Sequence, residues 1–187
     1  MEKTNIYGVV LAGGQGTRMG NVEKPKQFME VGGKPIIIHT LEKFAVNPQF
    51  ERIIVLSPRQ WMKYTQDIVK KYIPLWERID VIEGGNSRNE TVMNSIRYIE
   101  EKYGLDDDTI IVTHDSVRPF VTHRILEENI RCAKEYGACD TVIPATDTIV
   151  ESADGKLMPA YRTAPSCIRS RRHRASGQRG CGKSMKV

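Results

Sequence analysis

Apolar and polar positions alternate along this chain with two periods, one of two residues and one near 3.6, and these take turns from Ile6 to Ser152. Strands are predicted at Ile6–Ala12, Arg52–Ser57, Ile79–Glu83, Thr109–His114 and Thr141–Pro144, each β-branched and bounded by turn residues. Between them, Trp61, Tyr64, Ile68 and Tyr72 share one helical face, as do Val92, Ile96, Ile99 and Tyr103. Pro35–Val46 reads as a helix ending before Asn47-Pro48, and Thr122 is placed to cap a helix that runs through Ile125, Leu126 and Ile130 to a stop at Gly137. This alternation predicts an α/β fold, a mostly parallel sheet with helices on both faces. Ala153-Asp154-Gly155 reads as a hairpin turn after Ile149–Ser152.

Ligands of such sheets gather beyond the carboxyl ends of the strands. Three polar loops follow strands directly: Gly13–Gly16, Gly84–Arg88 and His114–Arg118. The first is glycine-rich, carries Arg18, and ends near Lys24 and Lys26. Glycines let backbone N–H groups approach a ligand closely, and such donors with nearby cations suit a triphosphate. The loop is neither a dinucleotide fingerprint, which needs a glycine where Met19 stands, nor a phosphate loop closed by Gly-Lys-Ser/Thr.

Length and charge sharpen this picture. The 187 residues suit one domain, and no apolar run approaches the roughly 18–20 residues of a membrane span. The chain has a net charge of +5, but six arginines and two lysines with no acid lie from Arg162 onward. The first 161 residues hold 20 basic and 23 acidic side chains, so the body is mildly acidic. From Pro165 to Val187 no apolar period survives, and residues 161–187 are expected to form a disordered basic tail after a domain spanning 1–160. Cys132, Cys139, Cys167 and Cys181 show no metal-type spacing, which suits reduced thiols in the cytoplasm.

One match is a decoy. Gly177–Ser184 fits the phosphate-loop pattern letter for letter, yet no apolar strand is predicted before it and only Met185-Lys186-Val187 follows. Without a helix there is no N-terminus to hold a phosphate.

The chemistry of the three loops points to phosphoryl transfer. Arg18 and Lys26 can reach an α-phosphate where charge shifts during in-line attack. Asp115 follows an apolar strand where a carboxylate that binds Mg²⁺ or substrate is useful. A phosphomonoester acceptor, with its second pKa near about 6, is already ionised at neutral pH and needs no strong base. His114 is therefore expected to be a packed or hydrogen-bonded residue, and His39 a packing one. Gly84–Arg88 fits either a turn with a helix cap or a surface on which Asn86, Arg88 and Thr91 read a pyrimidine edge. Arg118 is placed to clamp an acceptor phosphate or polyol.

Taken together, Leu11–Met19, Pro25–Phe28, Gly84–Thr91, His114–Phe120 and Asp147–Ser152 resemble the family of 2-C-methyl-D-erythritol 4-phosphate and D-ribitol-5-phosphate cytidylyltransferases, over about residues 5 to 158. The resemblance implies a Rossmann-like nucleotidyltransferase fold with a β-arm from about residue 146. It also implies Mg²⁺, CTP and an alditol phosphate as substrates, and a homodimer formed through the arm, with no specific nucleic acid or membrane partner. By resemblance, Arg18 and Lys26 stabilise the transition state, while Leu11, Ala12, Gly13, Gly14, Gly85, Asn86, Ser87, Arg88, Thr91 and Ser116 contact the nucleotide. Asp115, Arg118 and Thr148 match acceptor contacts, and Asp115 also the metal ligand. Ser116-Val117 and Asp147–Ser152 look more like the ribitol-phosphate branch, so transfer of CMP to D-ribitol 5-phosphate is the first expectation and the methylerythritol phosphate reaction the alternative.

The resemblance fades near Pro159. The later family segments, including a lysine for the acceptor, have no counterpart here, and the basic remainder looks frame-shifted. A CTP-binding fragment with impaired turnover is thus a further alternative. A nucleic-acid binder using the basic tail is another, although the tail lacks interleaved aromatic residues.

Overall fold

The computed structural model describes residues 4–14 and 24–144, together with the backbone of Ile149–Glu151, Ala160–Arg162, Ile168–Ser176 and Met185–Lys186. Four strands, β1 (Ile6–Leu11), β4 (Arg52–Ser57), β5 (Ile79–Glu83) and β6 (Ile110–Asp115), run parallel in the order β5-β4-β1-β6. Short β2 (Glu30–Val31) and β3 (Lys34–Pro35) form a separate hairpin. Beyond β6 the sheet continues with β10 (Ile168–Ser176), β7 (Ala138–Pro144) and β11 (Met185–Lys186). β8 (Ile149–Glu151) pairs antiparallel with β9 (Ala160–Arg162), as expected of an arm, while the predicted turn at 153–155 lies outside the described residues.

Period-two burial divides the core. Ile6 and Val10 of β1, Ile53 and Val55 of β4, and Ile110 and Val112 of β6 face one side. There they meet α1 (Ile36–Ala45), α2 (Met62–Tyr72) and α4 (His123–Tyr136). Tyr7, Val9, Ile54, Leu56 and Ile111 face the other side, against Ile99 of α3 (Arg88–Tyr103). Gly8 lies under α1: a β-carbon there would come within 2.8 Å of the Phe44 ring. The expected helix signals operate. Thr122 Oγ1 accepts from the Ile125 N–H, and Gly137 closes α4 in the left-handed region, at φ 81°. No described helix is long and apolar enough to cross a membrane.

The segment expected to be a disordered tail departs from that expectation where it is described. The backbone of Ile168–Ser176 lies between β6 and β7, antiparallel to both. Two strands set one strand-width apart present unpaired N–H and C=O groups that any extended backbone can satisfy. Side-chain periodicity carries no sign of that demand. The phosphate-loop decoy at 177–184 lies outside the described residues.

Candidate active site

The three polar loops begin in step, because each is tied to the end of a neighbouring strand. Ala12 N–H donates to the Leu56 carbonyl at 2.9 Å, Gly84 N–H to Ser57 at 2.9 Å, and Ser116 N–H to Leu11 at 3.0 Å. The glycine loop and the loop after β5 then touch. A β-carbon on Gly84 would sit 3.7 Å from Gly13 Cα, and one on either glycine would lie 3.6 Å from Thr91 Oγ1. Buried Thr91 thus lies beneath both loops.

The Gly84–Thr91 segment is a helix cap that also faces the glycine loop. Ser87 Oγ accepts from the Glu90 N–H at 3.1 Å, and Glu90 Oε2 accepts from the Asn86 N–H at 2.7 Å, a variant of the reciprocal box in which the glutamate reaches one residue past the cap. Gly85 makes room for this, since a β-carbon there would meet Glu90 Cγ at 2.4 Å. The Thr91 hydroxyl accepts from the Gly85 N–H at 3.0 Å and lies 2.8 Å from the Ser87 carbonyl. These two bonds use the Thr91 hydroxyl's one donor and one of its two acceptor positions, so the side chain supports the loop it was expected to read a base from. Asn86, Ser87 and Arg88 remain exposed on the surface.

Asp115, the last residue of β6, joins the second and third loops. Its Oδ1 lies 3.4 Å from Arg88 Nη2 and its Oδ2 accepts from Arg118 Nε at 3.0 Å. Both guanidiniums are over a third exposed, so they are free to exchange this carboxylate for a ligand's phosphate. Beneath them, Ser116 is buried and its carbonyl accepts from Thr40 Oγ1 of α1 at 2.8 Å. His114 is fully buried against the Phe44 ring, with Nε2 2.9 Å from the Arg118 carbonyl, as expected of a structural histidine. His39 differs from the packing role expected of it: Nε2 lies 2.8 Å from the Val31 carbonyl and steadies the β2–β3 hairpin.

Lys26 is exposed on a tight turn, Lys26–Phe28, whose two neighbouring side chains are anchored. Phe28 is buried against Trp61 and Tyr64, with ring centroids 5.1 and 5.2 Å away. Gln27 is buried, and Nε2 donates to the Ala12 carbonyl at 2.7 Å and the Gly14 carbonyl at 3.1 Å. Sequence reasoning quoted Gln27 within a motif but gave it no role, and it did not single out Thr40 or Glu90. For Glu90 the Ser-x-x-Glu spacing was a usable signal. Arg18 and Thr148 lie outside the described residues.

No group of three or more His, Cys, Asp or Glu side chains gathers among the described residues. Asp115 alone nevertheless fits Mg²⁺, which commonly takes one or two carboxylates and completes its shell with substrate phosphates and water. A cavity of about 290 Å³ lined by Gln66, Trp76, Asp80 and Tyr98 lies at the free edge of β5. It is lined by none of the three loops.

An open α/β sheet that puts glycine-loop amides, a capped helix start and several cations on one rim defines a nucleotidyltransferase. Three solved structures share the fold. They are a 4-diphosphocytidyl-2C-methyl-D-erythritol synthase from Anaerococcus prevotii (21% identity, TM-score 0.75, 94% of this chain and 70% of that one), a 2-C-methyl-D-erythritol 4-phosphate cytidylyltransferase from Francisella tularensis (24%, 0.71, 93% and 73%), and its counterpart from Thermus thermophilus (20%, 0.62, 95% and 71%). Over residues 6–161 the chain matches the family of IspD, 2-C-methyl-D-erythritol 4-phosphate cytidylyltransferase, and it belongs to that family of CTP-dependent cytidylyltransferases.

Proposed function

We propose that this chain transfers CMP from CTP to 2-C-methyl-D-erythritol 4-phosphate, releasing pyrophosphate. The observation that carries the reading is Asp115 held between Arg88 and Arg118, beside a glycine loop, in a chain of this family. In the reaction, an acceptor phosphate oxygen attacks the α-phosphorus of CTP. The bond from that phosphorus to the bridging oxygen breaks, and pyrophosphate leaves with the electron pair. The acceptor oxygen is already ionised, so no proton must be removed, and His114, buried and hydrogen-bonded, is not required as a base.

The chain's own groups manage charge and position. Glycine-loop N–H groups face the phosphates, and Lys26 with Arg18 neutralises charge building around the α-phosphorus. Arg118 and Arg88 hold phosphate oxygens, and the exposed α3 start meets the cytidine. Mg²⁺, held by Asp115 and the phosphates, would supply further neutralisation of the triphosphate. The β8–β9 hairpin is proposed as a dimer arm, and the cytoplasm as the place of action, where phosphorylated substrates are retained.

Ribitol 5-phosphate is the second reading, favoured by the Ser116-Val117 pair. Ser116 is 2% exposed and its backbone is tied to Leu11 and Thr40, so its identity answers to packing under the loop. That weakens the Ser116 part of the ribitol reading, whose other support is Asp147–Ser152, and the family match over residues 6–161 supports methylerythritol phosphate as the first choice. Pyrophosphate release from CTP and Mg²⁺ is measured with each acceptor separately. Faster release with methylerythritol phosphate is expected; faster release with ribitol phosphate reverses the order, and none with either removes the reading.

A further inference from the structure

We propose that Gln27 is a positioning residue that aims the glycine-loop donors at the triphosphate and fixes them relative to Lys26. The inference deepens the proposed function and rests on it.

A trans peptide is planar, and its C=O and N–H point in opposite directions. The Ala12 carbonyl belongs to the same plane as the Gly13 N–H. Gln27 Nε2 lies on the buried side, 2.7 Å from that carbonyl, so the Gly13 N–H is turned away from the core. The 3.1 Å bond to the Gly14 carbonyl holds a second carbonyl of the loop toward the same side chain. One NH₂ group therefore holds two carbonyls in a loop whose glycines have little conformational preference of their own. Gly14 is exposed, leaving the outward side open to a ligand.

Glutamine is suited to this task by its chemistry. Both partners are carbonyls and only accept, so the side chain must supply two N–H donors from one nitrogen. A glutamate at the same place would set a third acceptor against the two carbonyls. The position in sequence matters equally. Gln27 follows Lys26 on a turn closed by Phe28 N–H to Pro25 O at 2.9 Å and Met29 N–H to Lys26 O at 3.2 Å, and Phe28 pins the turn into the core. Lys26 thus cannot shift as a unit with its turn without pulling Gln27 off the loop. Charge development at the α-phosphorus demands that donors and cation hold fixed separation, because misplacement by about 1 Å can cost on the order of a hundredfold in rate.

The test uses the full chain with Mg²⁺ and CTP in a calorimeter, and the wild type, Gln27→Met and Gln27→Glu. Thermal melting of each variant is recorded beside the binding. Gln27→Met removes both donors and is expected to weaken CTP roughly ten- to a hundredfold while melting remains cooperative. Gln27→Glu keeps the shape, and a buried carboxyl is readily protonated, regaining one donor. Its CTP affinity relative to wild type is expected to rise as pH falls from 8 to 5.5, a response that lost packing alone does not give. In turnover, kcat is expected to fall more than KM rises, because Lys26 loses its register. Should wild type bind CTP and both variants bind equally well at every pH, the inference is overturned and the proposed function stands. If Gln27→Met does not fold, a flat pH ratio for Gln27→Glu overturns it alone. No binding by the wild type overturns the proposed function and this inference with it.

Discussion

Thr40 Oγ1, on the buried face of α1, donates 2.8 Å to the carbonyl of Ser116, 76 residues further along the chain. The contact joins the helix that follows the β2–β3 hairpin to the loop that carries Asp115 and Arg118. Thr40 has no exposed surface and Ser116 almost none, so water cannot substitute. Thr40→Val keeps the shape and leaves a buried carbonyl unpaired, at a cost of about 1–3 kcal/mol. Urea unfolding should show that loss, with Thr40→Ser recovering most of it; equal midpoints for Val and wild type would remove the contact from the stability account.

Arg118→Gln should separate function from stability. Exposed ion pairs contribute little to folding, roughly 0–1 kcal/mol, whereas a charge-assisted bond to phosphate is worth more. The variant is expected to lose on the order of tenfold to a hundredfold in kcat/KM with a nearly unchanged melting midpoint. A large melting shift with intact kinetics would contradict the assignment of Arg118 to the ligand.

Asp80 gives a pH signature at the other end of the sheet. Burial pushes its carboxyl pKa up, but hydrogen bonds from Arg52, Tyr103 and Lys102 outweigh that and hold it below the ordinary value of 3.8. A depressed folded pKa means the stabilisation is present above the unfolded pKa, near about 4, and is lost as pH falls through the lower folded value. Wild type should therefore exceed Asp80→Asn in urea midpoint at pH 7, and the gap should close as pH falls below the ordinary carboxylate pKa, by the same linkage. A gap that stays constant with pH would mean the carboxylate's charge is not what matters.

The Cys139 thiol is pushed up to about 11, first by burial and then by the neighbouring Cys132. Because the folded value is raised, its contribution is complete below the unfolded pKa near about 8.5 and disappears as pH rises through about 11. Iodoacetamide at pH 8.5 should leave Cys132 and Cys139 unlabelled in native protein, read peptide by peptide, and label both in urea. Rapid native labelling of Cys139 would show that its thiolate is accessible.

Much of the sheet was legible because buried β-branched runs have few alternatives. The departures have local causes. β6 begins at Ile110 and not Thr109 because the Thr109 hydroxyl turns back to Asp106, donating to its side chain at 2.6 Å. β7 starts at Ala138, three residues early, because Ala138, Cys139 and Asp140 pair with β10, a partner that side-chain pattern did not announce. The β2–β3 hairpin was missed although Gly32-Gly33, at φ 59° and 77°, is a strong two-residue turn signal.

At the site, the convergence of three loops could be read from their places after β1, β5 and β6. Which polar groups hold those loops up could not. Thr91 and Gln27 are ligand-type residues in sequence, yet each is buried with its side-chain bonds directed to backbone. Only the tertiary contact distinguishes a group that supports a loop from one that faces outward from it.

The chain also carries its own optical probe. The Trp61 ring lies tilted at 34°, 5.1 Å from Phe28, which directly follows Gln27, and the second of its two tryptophans, Trp76, can be replaced by phenylalanine to silence the background. Any rearrangement of the lysine-bearing turn would then register as a change in a single indole's emission, without a dye and without turnover.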